Sequence, residues 1–292
     1  MLTLLDYLLN GVTTGAVYAA VALSVVVVFR ATGIINFAQG SMAVLTTFVC
    51  VEFVNLGMGY WLAGALTVVI GFLAGAVVDG VFIRPLASRP DISAVMVTFG
   101  LYTALTAVIG LVWGPNFRAF PTAFSNSGIA IGHDRLAFSR NDLFIIVSVV
   151  VLTVLVAVLL LRTNLGLRMR ATAANREVAR LLGIRVRVAV TVGWGIAGSI
   201  GAVSGVLISP QIQLYPSSFD SVLLIAFVGA VLGGLNSFTG SCLGALAIGV
   251  LLSLVGGYVG TQYQLIAGFL ALLVTLLMKP SGLFGGSAAR KV

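Results

Sequence analysis

Long uninterrupted runs of apolar residues dominate this sequence, and polar residues fall in short segments between them. A helix that crosses a bilayer needs about 20 apolar residues. The runs before residue 210 that reach or approach this length are Tyr7–Phe29, 41–56, Tyr60–Ile83, Ile92–Trp113, Leu143–Leu161 and Val188–Ile208. The pattern predicts a membrane-spanning helix at each of them.

The uncharged tract Ser221–Met278 is too long for one span. As a helix it would extend about 87 Å, nearly three bilayer cores. Glycine pairs at Gly233-Gly234 and Gly256-Gly257 predict breaks that leave pieces at 221–234, 240–256 and 262–278. The first piece is short and is expected to be tilted or re-entrant. The whole chain is therefore predicted to be an all-α polytopic membrane protein with about 8–10 transmembrane helices, some of them broken or re-entrant.

Composition supports a membrane protein. The chain is 60% hydrophobic and 8% charged, whereas soluble domains are typically about 25% charged. Cys50 and Cys242 lie in apolar stretches and are expected to be buried thiols. His133 has no second histidine or cysteine pair nearby, so no metal site is predicted.

The segment 162–187 holds seven of the sixteen lysines and arginines. They are Arg162, Arg168, Arg170, Arg176, Arg180, Arg185 and Arg187. A charged side chain at the bilayer centre costs about 2.5–3.5 kcal/mol on insertion scales, so this segment lies outside the membrane. The bias of basic loops towards the cytoplasm predicts its side.

The remaining basic residues test this orientation. With segment 162–187 inside and nine passes, thirteen basic residues fall on the cytoplasmic side and three, Arg118, Arg135 and Arg140, fall outside. The inner set is completed by Arg30, Arg84, Arg89, Lys279, Arg290 and Lys291. The N-terminus is therefore predicted outside and the C-terminus in the cytoplasm. Basic residues that alternate with spans give no nucleic-acid-binding face.

Part of this segment has the spacing of an amphipathic helix. One stripe is formed by Ala171, Ala174, Val178, Leu181 and Leu182. This predicts one short helix over 171–182, about 16 Å long, that stops at Gly183. Its alanine-rich face suits docking into a groove of a protein partner.

The outer loop 114–141 is the longest irregular segment between spans. It is rich in proline, serine and glycine, and its apolar stretch Gly128–Gly132 predicts a small hairpin. Such a loop is either a plain connection or a docking surface for an external partner.

Two short motifs repeat along the chain. Asn36, Gly40 and Ser41 have the same spacing as Asn236, Gly240 and Ser241, and each set follows glycine and starts an apolar helix. Interrupted helices at matching positions mark the permeation path in some transporters. Chance, or close helix packing through small residues, explains the repeat equally well. The candidate substrate-pathway residues are Asn36, Gln39, Ser41, Asn236 and Ser237.

The chemistry needed for an enzyme is missing. Neither lysine, Lys279 or Lys291, lies in a phosphate-binding Gly-x4-Gly-Lys-Ser/Thr loop. This predicts no enzyme, no ATPase site and no bound cofactor in the chain. Glu52, Asp79 and Asp220 lie near predicted span ends, where a proton or ion relay is not expected. An ion-coupled transporter is therefore disfavoured.

Three segments resemble one known family. They are GIINFAQGSM (33–42), TNLGLRMRATAANREVARLLGI (163–184) and GGLNSFTGSCLGALAIGVL (233–251). In this order they resemble the branched-chain amino acid permeases of ABC importers, the LivH-type inner-membrane subunits. Ser41 stands where an acidic residue is common in that family, which leaves the details of the substrate open.

The resemblance implies a single permease domain over 1–292 in a bacterial plasma membrane. It also implies a second permease subunit, expected to give a heterodimer, two cytoplasmic ATPase subunits that use ATP, and an extracytoplasmic solute-binding protein. The implied ATPase-coupling residues are Arg170, Ala174, Asn175, Arg176, Glu177, Ala179, Arg180 and Gly183.

The predicted function is import of branched-chain or related hydrophobic amino acids. Urea, amides and sugars remain alternative substrates, because related permeases carry them. A passive channel for small neutral solutes is a further alternative. It is disfavoured because neither Asn36 nor Asn236 is followed by proline, as in Asn-Pro-Ala channels.

Overall fold

A computed structural model describes residues 2–86, 89–131 and 134–285. His133, Arg290 and Lys291 lie outside the described residues. Helices make up nearly all of the regular structure in these ranges. The α-helices are α1 (Leu2–Thr32), α2 (Gln39–Asn55), α3 (Tyr60–Val77), α4 (Asp91–Trp113), α5 (Arg140–Arg162), α6 (Asn164–Ala174), α7 (Arg176–Leu181), α8 (Val186–Ile208), α9 (Asp220–Gly233), α10 (Phe238–Tyr258) and α11 (Gln264–Met278).

Short irregular elements extend or join these helices. A π-helical turn, Val78–Ile83, and a 3₁₀ turn, Arg84–Leu86, continue α3, and a 3₁₀ turn, Thr261–Tyr263, precedes α11. In the outer loop, strand β1 (Gly128–Ile131) pairs antiparallel with β2 (Asp134–Ser139). The hairpin predicted there is confirmed.

Seven helices of the described chain are long and apolar enough to cross a membrane: α1, α3, α4, α5, α8, α10 and α11, with the short turns that extend two of them. Helix α9, with 14 residues, is a shorter apolar helix, and α2 has 17 residues. This confirms an all-α polytopic membrane protein. The long apolar tract breaks after Gly233 and after Tyr258, close to the predicted glycine pairs.

The chain divides into two compact units. One comprises the described residues of 1–23, 122–154 and 223–292, and the other comprises those of 24–121 and 155–222. The unit boundaries fall inside α1, α5 and α9 and in the outer loop. A single permease domain over 1–292 stays a prediction.

In the second unit, α8 packs against α3 through glycines. A methyl group placed on Gly75 would lie 2.7 Å from the carbonyl carbon of Trp194 and 3.1 Å from Cα of Gly195. Small residues allow such close approach of helix backbones in membranes. The Ser199 hydroxyl also donates to the Val68 carbonyl at 3.0 Å. These contacts join α3 and α8 along their length.

In the first unit, α10 packs against both α1 and α9, again through small residues. A methyl group on Gly15 of α1 would lie 2.8 Å from the Leu246 carbonyl oxygen, and one on Gly229 of α9 would lie 2.9 Å from Cβ of Ala245. Helix α11 adds apolar side chains to this core.

Candidate functional site

The segment predicted as one coupling helix forms two. Helices α6 and α7 meet at Asn175, whose backbone is extended at φ −159° and ψ 112°. Its side-chain oxygen accepts hydrogen bonds from the backbone N–H groups of Glu177, at 2.9 Å, and Val178, at 3.1 Å. Asparagine caps a helix N-terminus in this way and competes with helix continuation. The prediction of a single helix over 171–182 is therefore wrong.

The predicted end of the segment is confirmed. Gly183 adopts φ +79°, and its N–H donates to the Arg180 carbonyl at 3.0 Å. The Ile184 N–H donates to the Ala179 carbonyl at 3.0 Å. A glycine in the left-handed region commonly closes a helix because it has no Cβ to clash. Helix α7 is thus a single short element with a capped start and a closed end.

One side of α7 is attached to its own chain. The Arg176 guanidinium donates from Nη2 to the Thr32 carbonyl at the end of α1, at 2.9 Å. Ala179 is 1% exposed. Of the predicted coupling residues, Arg176 and Ala179 therefore attach α7 to the rest of the unit.

The rest of α7 and the residue after it are open, and three large apolar side chains are exposed there. Leu181 is 87% exposed, Leu182 is 73% exposed and Val178 is 49% exposed. Ala174 and Glu177 are exposed beside them. We call Ala174, Glu177, Val178, Leu181 and Leu182 the coupling surface. Large apolar side chains in one exposed patch commonly mark a protein or membrane contact.

Further predicted coupling residues flank this surface. Arg170 and Arg180 are exposed, and the Arg170 Nε donates to the Gly166 carbonyl at 3.4 Å. The structure thus brings the predicted coupling residues together within α6, α7 and the turn at Gly183. They divide into an exposed set and a set that anchors α7.

The first group of predicted pathway residues lies at the start of α2 and is buried. Asn36 donates to Gln39 Oε1 at 3.0 Å, and Gln39 donates to the Ala197 carbonyl of α8 at 3.0 Å. The Ser41 hydroxyl donates to the Ala38 carbonyl at 3.0 Å. These side chains therefore link α2 to α8 and close the start of α2.

The second group lies at the start of α10, in the other unit. Asn236 is exposed, and Ser237 accepts a hydrogen bond from the Gly240 N–H at 3.0 Å. The repeated motifs share a backbone form, because each follows a glycine of positive φ, Gly33 at 78° and Gly234 at 103°. A role of either group in the pathway stays a prediction.

A groove that the sequence interpretation missed runs along α1 and α10. Its volume is about 340 Å³. Its polar side chains define what we call the polar groove: Tyr7, Asn10, Thr14, Tyr18, Ser253, Thr261 and Gln264. The other lining residues are glycines of α10 and two apolar side chains, Ile225 and Leu252. None of the lining residues carries a charge.

Part of the polar groove has spare hydrogen-bonding capacity. Ser253 donates to the Tyr7 carbonyl at 2.7 Å, and Gln264 donates to the Leu252 carbonyl at 2.9 Å. The Asn10 amide and the Tyr18 hydroxyl have no hydrogen-bond partner within the described part of the chain. Polar groups at membrane depth are costly unless water, protein or a ligand satisfies them.

The sequence did contain a signal for this groove. Residues 7, 10, 14 and 18 carry amide or hydroxyl groups and recur at helical spacing inside a largely apolar run. Such spacing places them on one face of α1.

The three acidic residues that the sequence analysis considered, Glu52, Asp79 and Asp220, are each paired. Thr191 donates to Asp79 Oδ2 at 2.5 Å, and Arg84 lies 3.4 Å from the same oxygen. Glu52 Oε1 accepts hydrogen bonds from Trp113 Nε1 at 2.9 Å and from Arg118 Nη1 at 3.1 Å. Asp220 Oδ2 accepts one from the Tyr102 hydroxyl at 2.7 Å. Pairing of this kind fits structural roles.

Comparison with known proteins identifies the family. A family model described as branched-chain amino acid transport system / permease component matches residues 7–278. The chain is 27% identical to the high-affinity branched-chain amino acid transport system permease protein LivH of Escherichia coli K12, over 99% of this chain and 97% of that protein. It is 26% identical to the corresponding protein BraD of Pseudomonas aeruginosa, over 99% and 98%.

A solved structure shows the same fold. PsaBC from Streptococcus pneumoniae in complex with Fab matches with a TM-score of 0.52 and 13% identity, over 93% of this chain and 91% of that one. The match of the family model covers almost all of the described helices, from α1 to α11. The chain belongs to the family of permease components of branched-chain amino acid transport systems.

Proposed function

We propose that this chain is the membrane-spanning permease subunit of a bacterial ABC importer. It would move branched-chain or related hydrophobic amino acids, driven by ATP that separate subunits hydrolyse. The observation that carries the proposal is the coupling surface on α7, where large apolar side chains are held outward on an anchored helix. The family match supports the same function.

The proposed assembly has several other subunits. A second permease subunit completes a heterodimer, two cytoplasmic ATPase subunits dock on the coupling surfaces, and an extracytoplasmic solute-binding protein delivers substrate. The chain itself binds no cofactor and has no ATPase site. Its N-terminus is outside and its C-terminus is in the cytoplasm, as the distribution of basic residues indicates.

The contacts of α7 suggest how ATP drives transport. When the ATPase subunits close, they displace α7 through Leu181 and Leu182. Because Arg176 bonds to the Thr32 carbonyl, this displacement acts on the end of α1. Movement of a span by a rigid helix is the kind of rearrangement that alternating access requires.

The polar groove supplies a surface for the substrate. Its uncharged amide and hydroxyl groups can bond the ammonium and carboxylate of an amino acid, while Ile225 and Leu252 contact the side chain. Its volume of about 340 Å³ is ample for a molecule of that size. We propose that it forms part of the pathway, covered by the second permease subunit.

Uptake by the purified importer tests the function. The complex is isolated from its native membrane in mild detergent, placed in liposomes with ATP on the ATPase side, and supplied with its binding protein. Labelled leucine is expected to accumulate against its gradient, and urea and sugars are not. Flux that only equilibrates and ignores ATP would establish a channel instead. Accumulation of urea or a sugar without leucine would retain the importer and reject the substrate.

A pair of variants tests the polar groove. Asn10→Leu removes an unpartnered amide from the groove and is expected to raise the KM for leucine uptake at least severalfold. Asn55→Leu changes an exposed asparagine at the end of α2 and serves as the matched control. Equal KM values for both variants and the unmodified protein would exclude the groove from the pathway.

A further inference from the structure

A second cavity lies in the unit formed by residues 24–121 and 155–222. Its volume is about 150 Å³. It is enclosed by the end of α1, the turns after α3, the start of α4, helix α7 and the start of α8. Five arginines line it, Arg84, Arg89, Arg176, Arg180 and Arg187, together with the single acid Asp79. We call it the arginine pocket.

The charge of the arginine pocket is not balanced from within. Asp79 pairs with Arg84 at 3.4 Å, and Arg176 donates to the Thr32 carbonyl. The side chains of Arg89, Arg180 and Arg187 make no hydrogen bond or ion pair with any residue that the structure describes. All three are exposed, so their guanidinium groups are available to a ligand from outside the chain.

The chemistry of these donors selects the ligand. A guanidinium group offers planar paired N–H donors that match the oxygens of a phosphate or carboxylate. Three such groups favour a ligand with several anionic oxygens, as a phosphate has. A hydrated monovalent ion would leave most of the donors unused.

The rest of the wall is apolar. Ile34, Ile83, Leu86, Val186 and Val190 line the same cavity. These residues lie at or near the ends of the candidate membrane spans, so we expect them close to the lipid head groups. Basic pockets between spans on the cytoplasmic side are suited to anionic lipid head groups, because the inner leaflet carries negative charge. A free inorganic phosphate would gain nothing from the apolar wall.

We propose that the arginine pocket binds the phosphate of an anionic phospholipid head group, with Arg89, Arg180 and Arg187 as donors and an acyl chain along the apolar wall. The inference goes beyond transport itself and does not depend on which substrate is carried. Because Arg176 and Arg180 belong to α7, a bound lipid would also fix the position of the coupling helix.

Lipid retention by the intact complex tests the proposal. The complex is placed in nanodiscs of phosphatidylcholine that contain increasing phosphatidylglycerol, and bound phosphatidylglycerol is counted by native mass spectrometry. The double variant Arg89→Gln, Arg187→Gln is expected to bind phosphatidylglycerol about 30-fold more weakly. The single variant Arg89→Gln is expected to fall between, which keeps the test valid if the double variant is unstable.

The control is the double variant Arg162→Gln, Arg168→Gln. It removes the same charge from exposed residues of segment 162–187 that do not line the arginine pocket. It is expected to retain phosphatidylglycerol as the unmodified protein does. Equal retention by both double variants would overturn the proposal.

Two further arms separate the lipid from other anions. Saturable binding of inorganic phosphate in pure phosphatidylcholine nanodiscs, lost in Arg89→Gln, would assign the pocket to a soluble anion and overturn the lipid. Phosphatidylglycerol that binds the permease subunits alone but is absent from the intact complex would assign the arginines to an acidic segment of the ATPase subunits and would also overturn it. Retention of the lipid in the docked complex supports it.

Discussion

Replacing two leucines of the coupling surface should weaken ATPase docking without weakening the fold. In the double variant Leu181→Ser, Leu182→Ser, the changed side chains are 87% and 73% exposed. Exposed substitutions of this kind usually change folding stability by within about 0.5 kcal/mol. The melting temperature of the variant is therefore expected to stay close to that of the unmodified protein.

The expected loss of docking follows from the same exposure. Full burial of a leucine side chain is worth about 1.5–3 kcal/mol. Burial of the exposed fractions of both leucines in a partner groove is then worth about 2–5 kcal/mol. This corresponds to a Kd for the ATPase subunits that is about 30- to 4,000-fold weaker. Stimulation of ATP hydrolysis by the permease should fall in parallel.

The assay is titration of purified ATPase subunits onto the permease in nanodiscs, with ATP hydrolysis measured on the same samples. Leu56→Ser is the control, because Leu56 is 76% exposed but follows α2 on the predicted outer side. A double variant that binds the ATPase subunits as tightly as the Leu56→Ser control would refute docking through the coupling surface.

Three other predictions concern the supports of the site. Gly75→Ala is expected to lower the melting temperature. Overpacking against α8 costs about 1–3 kcal/mol, whereas the higher helix propensity of alanine stabilises α3 by only about 0.5–1 kcal/mol. Gly64→Ala, where an added methyl meets nothing within 4 Å, should not lower it, and equal melting of the two would contradict the close packing. Asn175→Ala removes a helix cap worth about 1 kcal/mol and should speed hydrogen exchange of the α7 amides. Asn175→Ser keeps a capping side chain and should restore their protection. Unchanged exchange in both variants would show that the cap is dispensable. Tyr102→Phe removes the hydrogen bond to Asp220, worth about 1.5–3 kcal/mol for a charged acceptor, and an unchanged melting temperature would show that the bond contributes nothing.

The spans could be predicted because their signal is long and redundant. Each predicted run corresponds to an observed helix, and even the breaks in 221–278 were marked by glycine. The break at Asn175 was not predicted, because an apolar stripe shows only how apolar side chains are spaced along the chain. It does not show whether one polar side chain will cap the chain and interrupt the backbone hydrogen bonds.

The candidate site was less predictable. Nothing in the sequence distinguishes the buried Asn36 from the exposed Asn236, because their motifs are alike and only tertiary packing differs. The arginine pocket was hidden for a similar reason. Arg89 and Arg187 are far apart along the chain, and only the folded unit brings them to one cavity.

The glycine contacts between α3 and α8 limit where this protein can change shape. A switch between two arrangements usually depends on side chains that exchange one rotamer or partner for another. Where Gly75 faces the backbone of Trp194, α3 has no side chain at the contact to make such an exchange, and the neighbouring Phe72 is packed closely on Gly195. The two helices should therefore move as one rigid piece throughout the transport cycle. Rearrangement is left to elements with few contacts, of which α7, held by the Arg176 hydrogen bond and the buried Ala179, is the clearest.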